Sequence, residues 1–176
     1  MKAKLFIYFL FLASFTGFSQ NTPIDKLFDK YSGKDGFTTV FISQYMFDMF
    51  KDVETSDKDF DNLVKGLKSI RIISVDKSSP NAPKNINFFT EIMKNLPMKD
   101  YKELMVIKQK DQDVKFLVKE VQGKIAELLL ITGGKDNTFI CIEGMIDIKS
   151  IAKLSQSMHI DGMKPLENVG KEAPHK

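Results

Sequence analysis

Residues 101–146 read YKELMVIKQKDQDVKFLVKEVQGKIAELLLITGGKDNTFICIEGMI, and the architecture follows from this stretch. Two apolar-rich runs, Tyr101–Lys108 and Asp113–Val121, are separated by the polar Gln109-Lys110-Asp111-Gln112. In the second run Val114, Phe116 and Val118 alternate with Lys115 and Lys119, the period of two that predicts a strand with one buried and one largely wet face. Gln122-Gly123 is a tight-turn signal into Lys124–Thr132, and Gly133-Gly134-Lys135-Asp136-Asn137 returns the chain through Thr138–Ile146. Leu128-Leu129-Leu130-Ile131 and Phe139-Ile140-Cys141-Ile142 are apolar at successive positions, so both faces of these two strands need cover and they belong at the centre of a sheet. Four strands in succession with short connections predict an antiparallel meander.

Upstream, helix and strand alternate. Thr22-Pro23 opens a helix, with Thr as N-cap and Pro at the first helical position, and Ile24, Leu27, Phe28 and Tyr31 form its apolar stripe before Gly33 ends it. Phe37–Ile42 is β-branched and aromatic, a strand. Ser43 is placed to cap a short helix through Tyr45, Met46, Met49 and Phe50. Beyond the polar residues 51–56, Phe60, Leu63, Val64 and Leu67 mark a second amphipathic helix with Asp57 at its N-terminal end, where negative charge suits the helix dipole. Ser69–Val75 is another strand, Asp76–Asn85 a loop with Pro80 and Pro83, and Phe89, Ile92, Met93 and Leu96 a third stripe stopped by Pro97. Asp147 is placed to cap a final helix using Ile148, Ile151 and Ala152. The expected class is α+β: an antiparallel-rich sheet of five to six strands, ending in the four-strand meander, with amphipathic helices packed on one face.

The N-terminus has the form of a secretory signal. Lys2 and Lys4 precede an apolar run from Leu5 to about Phe15, and no charge follows until Asp25. Gly17 and Ser19 are the small residues a signal peptidase reads, which places cleavage before Gln20 or one residue later, before Asn21. A helix over residues 5–18 would rise about 21 Å against a hydrocarbon core of about 30 Å, too short to span. The expected organisation is a signal peptide over 1–19, one domain over 20–158 and a polar tail over 159–176. That predicts export, to the periplasm first, with secretion or attachment at the outer membrane as the other destinations, and no stable membrane span after cleavage.

Removal of the signal takes Lys+Arg from 26 to 24 against 23 Asp+Glu, so the mature charge is about +1. Such a chain has no electrostatic footprint for nucleic acid. Cys141 is the sole cysteine, which excludes an internal disulfide, and its apolar neighbours predict a buried, inert thiol.

The motifs that carry chemistry fail on inspection. Asp57-Lys58-Asp59-Phe60-Asp61 resembles the start of a calcium loop, but the sixth and twelfth positions hold Asn62 and Lys68 instead of Gly and Glu. Ser-x-x-Lys occurs at Ser74/Lys77 and Ser150/Lys153 without companion motifs. The Gly133–Asn137 loop runs strand to strand and lacks the spacing of a phosphate loop, which leaves a hairpin or a binding tip. His159 and His175 are the only histidines, too few for a histidine-based zinc site, and Asp111 and Asp113 fit turn chemistry. No catalytic, cofactor-binding or metal residue is assigned, and the binding residues are left open.

Two stretches are similar to a known family. Leu27–Val40, which carries Phe28-Asp29-Lys30-Tyr31-Ser32-Gly33-Lys34-Asp35-Gly36, resembles the opening of the family called domain of unknown function 4252, small exported proteins of Gram-negative bacteria. Leu128–Leu154, with its Gly-Gly-Lys-Asp turn and the passage Glu143–Ile148, resembles its closing section. The resemblance implies export and a single α+β domain, and it brings no catalytic residues. It also implies a neighbourhood with extracytoplasmic-function sigma factors, hence envelope stress or signalling. A core, an export address and the absence of chemistry together predict a non-enzymatic module that binds another envelope protein, for which an exposed apolar patch would be the mark. The rivals are a small-ligand or lipid binder that uses its methionines and phenylalanines, and an enzyme in which carboxylates such as Asp76 or Glu143 converge.

Overall fold

A computed structural model describes residues 22–146. The expected signal peptide, the helix expected from Asp147, Ser150/Lys153, both histidines and the expected polar tail lie outside the described residues. The elements run α1 (Pro23–Tyr31), β1 (Phe37–Ile42), α2 (Gln44–Phe50), α3 (Lys58–Gly66), β2 (Leu67–Val75) and α4 (Phe88–Asn95), followed after a short 3-10 turn by β3 (Lys102–Lys108), β4 (Gln112–Val121), β5 (Lys124–Gly134) and β6 (Thr138–Ile146). The six strands make one sheet in the order β1-β2-β6-β5-β4-β3, every neighbouring pair antiparallel. The α+β class and the C-terminal meander are therefore as the sequence predicts. β6 and β5 lie third and fourth in that order, the central place their two-sided apolarity requires.

Local sequence explains the boundaries. At α1, Thr22 Oγ1 accepts the Asp25 N–H at 3.1 Å while the Asp25 carboxylate accepts the Thr22 N–H at 3.0 Å, a reciprocal capping box. Gln122 and Gly123, with φ of 53° and 75°, make the two-residue turn between β4 and β5, whose positive-φ backbone matches the right-handed twist of the flanking strands. The stripe through Leu67 does not continue as helix: α3 stops at Gly66 and Leu67 already belongs to β2. This loop-free change of element is possible because Gly66 and Gly144 lie against each other. A Cβ on Gly66 would come within 2.6 Å of the Met145 carbonyl oxygen, and one on Gly144 within 2.3 Å of the Gly66 carbonyl oxygen.

The core has two layers, one on each side of the sheet. On one face Ile73, Leu117, Leu129, Ile131, Phe139 and Cys141 pack with Ile24, Leu27 and Tyr31 of α1 and with Phe88, Ile92 and Leu96 of the α4 segment. On the other, Ile70, Phe116, Leu128, Leu130, Ile140 and Ile142 form a cluster with Leu63 and Leu67, and Phe47 of α2 joins at its margin. Helices thus serve both faces, α1 and α4 on one, α2 and α3 on the other, and not the single face expected from the sequence, because β5 and β6 are apolar on both sides and each side needs cover.

Two details differ from the periodicity reading. The stripe of α4 is set by Phe88, 0% exposed, rather than by Phe89, which is only partly buried. The face of β4 that carries Lys115 and Lys119 is not wet along its length: Leu117 between them is 0% exposed, and Lys115, its side chain 12% exposed, lies over the Phe89 ring and pairs with Glu103 at 2.5 Å. Alternating charge marked that face as solvent, but a long Lys stem can pass under a helix and still deliver its ammonium to a carboxylate.

Candidate functional site

The first candidate is a surface built by α2 and α3. α2 reads QYMFDMF and has no buried residue. Tyr45 is 74% exposed, Met46 46%, Met49 56% and Phe50 51%. An amphipathic surface helix turns such residues inward, whereas α2 is apolar nearly all round and only Phe47 is anchored to the core. Its N-cap residue Ser43 makes no side-chain capping bond, so the short helix is held by that contact and by its connections.

Between α2 and α3 lies an open groove of about 400 Å³. Met46, Phe47, Phe50 and Val53 line one side, Phe60 and Val64 the other, and Ile42 and Leu67 are also on its wall. The one ionisable lining residue, Asp61, is already engaged: its carboxylate accepts the Thr55 N–H at 3.0 Å and the Thr55 hydroxyl at 2.7 Å. The hydroxyl bond holds its pKa below the ordinary carboxylate value. The groove therefore offers apolar contact and no free acid or base. Asp57 Oδ1 in turn accepts the Phe60 N–H at 3.2 Å, so the acidic cluster read as a helix start is used as one.

The second candidate is a polar band beneath α1. Arg71 reaches Glu143 at 3.0 Å and Asp25 at 3.3 Å, and Ser69 donates to Glu143 at 2.5 Å. Glu143 sits opposite Glu127 across the β5–β6 ladder, and Tyr101 donates its hydroxyl proton to Glu127 at 2.5 Å. Burial and the nearby Glu143 charge raise the Glu127 pKa, and burial followed by the bond to Glu127 raises that of the Tyr101 phenol. Each acid is thus bonded to a neutral or cationic partner, and the band ties α1, β2, β5 and β6 together. Glu143 does meet other carboxylates. Asp76 does not join it: its Oδ1 accepts from the backbone N–H and hydroxyl of Ser78, at 2.9 and 2.6 Å, in a turn that lowers its pKa. Where Arg71 and Asp25 reach the surface the cleft is about 260 Å³ and is shared with Phe28, Asp29 and Phe41.

The remaining sequence candidates fall into structural places. The Gly133–Asn137 loop is a hairpin whose donors are spent inward: Lys135 N–H goes to the Asp111 carbonyl at 2.8 Å and Asp136 N–H to Gln112 Oε1 at 2.7 Å. Asn137 is buried, and its side chain accepts the Phe88 N–H at 3.0 Å and donates to the Gly134 carbonyl at 2.9 Å. That loop fastens β5 and β6 to the start of α4. Lys77, of the Ser74 pair, forms an ion pair with Asp136 instead. Cys141 is 0% exposed and burial raises its thiol pKa well above normal, the inert thiol its neighbours predict. Among the described residues no group of three or more His, Cys, Asp or Glu is arranged to hold a metal, and no helix is long and apolar enough to cross a membrane.

Periodicity alone did not reveal the apolar exposure of α2, since seven residues are too few to show a face. The polar band had a signal: Glu127 and Glu143 interrupt otherwise apolar central strands, and a charge in such a run needs a partner.

What these features define is an antiparallel α+β module with an uncovered apolar helix and an internal, self-satisfied polar band. The chain belongs to the family described as domain of unknown function (DUF4252), whose model matches residues 31–154 and so takes in all six strands. No curated protein and no solved structure matches it.

Proposed function

We propose that this chain is a non-enzymatic interaction module of the cell envelope that receives an apolar segment of another protein in the α2–α3 groove, as an accessory or regulatory component. The observation that carries the reading is α2 itself, with four large apolar side chains about half exposed or more beside an open, almost wholly apolar groove. Leaving such a surface in water is unfavourable, and contiguous apolar patches of several hundred Å² mark interaction sites. The lining leaves hydrogen bonding to the rim, so the complementary segment carries aliphatic or aromatic side chains and few charges.

The test is crosslinked affinity capture from the host envelope with the parent chain and with Met46→Asp and Phe50→Asp, alongside Leu104→Asp at the far edge of the sheet. A stoichiometric partner retained by the parent and by Leu104→Asp, and lost from both α2 variants, supports the reading. A partner retained by the α2 variants removes the groove from the interaction. A co-purified acyl chain with no protein, lost in the same variants, replaces the reading with the small-ligand alternative.

A further inference from the structure

The two edges of the sheet are treated differently. β3 carries Lys102, Glu103 and Lys108 and is irregular in register between Glu103 and Met105, the charges and bulges by which an edge avoids pairing with another chain. β1 reads FTTVFI, with no charge and no proline, and its register with β2 runs without a shift from Phe37↔Val75 to Ile42↔Ile70. Among the described residues nothing pairs with its outer side.

Which backbone groups face out follows from the ladder. Asp76 donates to the Gly36 carbonyl at 2.9 Å, so the pair next to Phe37↔Val75 is a hydrogen-bonded one. By antiparallel alternation Thr38, Val40 and Ile42 bond inward to β2, while Phe37, Thr39 and Phe41 turn their N–H and C=O outward. The Phe37 N–H is taken by the Lys34 carbonyl at 3.3 Å. The outward groups without a ladder partner are thus the Phe37 C=O and both groups of Thr39 and of Phe41, the last two residues lying one on each side of Val40.

We infer that β1 pairs with β1 of a second copy of this chain, antiparallel about a twofold axis at Val40, to give a continuous twelve-stranded sheet. In that register Thr39 faces the partner's Phe41 and Phe41 the partner's Thr39 as hydrogen-bonded pairs, which satisfies the four outward groups of these two residues in each copy. Val40 meets the partner's Val40 as a non-hydrogen-bonded pair, with Cα atoms about 4.5 Å apart. α2 follows β1 directly. Its Met46 and Phe50 face the α2–α3 groove, which leaves Val40 at 38%, Phe41 at 55%, Tyr45 at 74% and Met49 at 56% exposed outside it, on the order of 450 Å² of apolar side chain per copy. Two copies reach roughly 900 Å², the size of a weak, reversible interface. No like charge on β1 opposes its own image. This deepens the interaction reading by naming one partner, and it rests on the same exposed surface.

The register gives a sharp test in the full-length chain. Val40→Cys places two thiols within disulfide reach across the axis, whereas Thr38→Cys faces the partner's residue 42 and lies about 13 Å from its own copy. Buried Cys141 does not compete. Mild oxidation is expected to convert most of Val40→Cys into a reducible dimer and at least tenfold less of Thr38→Cys. Sedimentation velocity of the parent at about 100 µM is expected to show the dimer, and Val40→Lys, with two ammonium groups forced together, the monomer. A monomeric parent overturns the inference, as do equal crosslinking of both cysteine variants, crosslinking of neither, or a folded Val40→Lys that stays dimeric. If Val40→Lys fails to fold, the cysteine pair decides. A negative result here with a heterologous partner still captured through Met46 and Phe50 leaves the interaction reading standing, and the converse result separates them the other way.

Discussion

Glu127 shares its ladder position with Glu143 and takes the Tyr101 hydroxyl proton bond at 2.5 Å, in a place where burial raises its pKa above the ordinary 4.5. The folded chain therefore holds this proton more tightly than the unfolded chain does. Its contribution to stability is complete below the unfolded pKa and is lost as pH rises through the higher folded value. Glu127→Gln keeps the acceptor for Tyr101 and removes the buried charge. Urea midpoints from pH 4 to pH 7 should show the parent losing stability relative to this variant; parallel curves would mean that the carboxyl is solvated in the fold. Asn137 gives a prediction of opposite sign. Truncation to Ala leaves the Phe88 N–H without its acceptor under α4, an uncompensated buried donor worth roughly 1–3 kcal/mol of lost stability in denaturant unfolding. Both residues were partly legible in the chain. Glu127 breaks an apolar run, which signals a buried charge, but the identity of its partner Tyr101 is set by the crossing of the chain from α4 into β3. Asn137 reads only as a turn residue, since the donor it serves lies 49 residues away.

Elements were read well where period and capping agreed, as in α1 and the meander, and less well where one element changes directly into another. The apolar series Phe60, Leu63, Val64, Leu67 is helical throughout, yet α3 ends at Gly66 because β6 approaches at Gly144. Only tertiary proximity supplies that stop. Gly144 has φ of 156°, a region open to glycine, and a methyl group there would meet the Gly66 carbonyl oxygen at 2.3 Å. Gly144→Ala should cost roughly 2–4 kcal/mol, through strain and a forced shift of the α3–β2 junction, in chemical denaturation. A cost below about 0.5 kcal/mol would show that the two backbones do not touch. α2 is the contrasting case: its helix was foreseen, but nothing in its seven residues marked them as surface. Burial of a short helix depends on what packs beside it, and propensity and pattern carry no information about that.

Across the whole molecule, the most deeply buried strands and the proposed binding surface sit in different parts of one sheet. β5 and β6 are covered on both faces by fully buried Leu128, Leu129, Leu130, Ile131, Phe139, Ile140, Cys141 and Ile142, and each strand is paired on both sides. Their amides can exchange only through openings that approach global unfolding. β1 has one paired side, and α2 has a single partly buried anchor in Phe47, so both should open by local fluctuation at much lower cost. Native-state hydrogen exchange is expected to rank the amides of 128–131 and 139–142 slowest, those of 44–50 fastest, and Thr39 and Phe41 faster than Val40, whose N–H bonds inward. Protection of Thr39 and Phe41 that rises with protein concentration would report β1 acquiring an outer neighbour, while Val40 stays unchanged. Protection of 44–50 equal to that of the central strands would contradict the division, because a helix as well held as the core would have no loose apolar face to offer a partner.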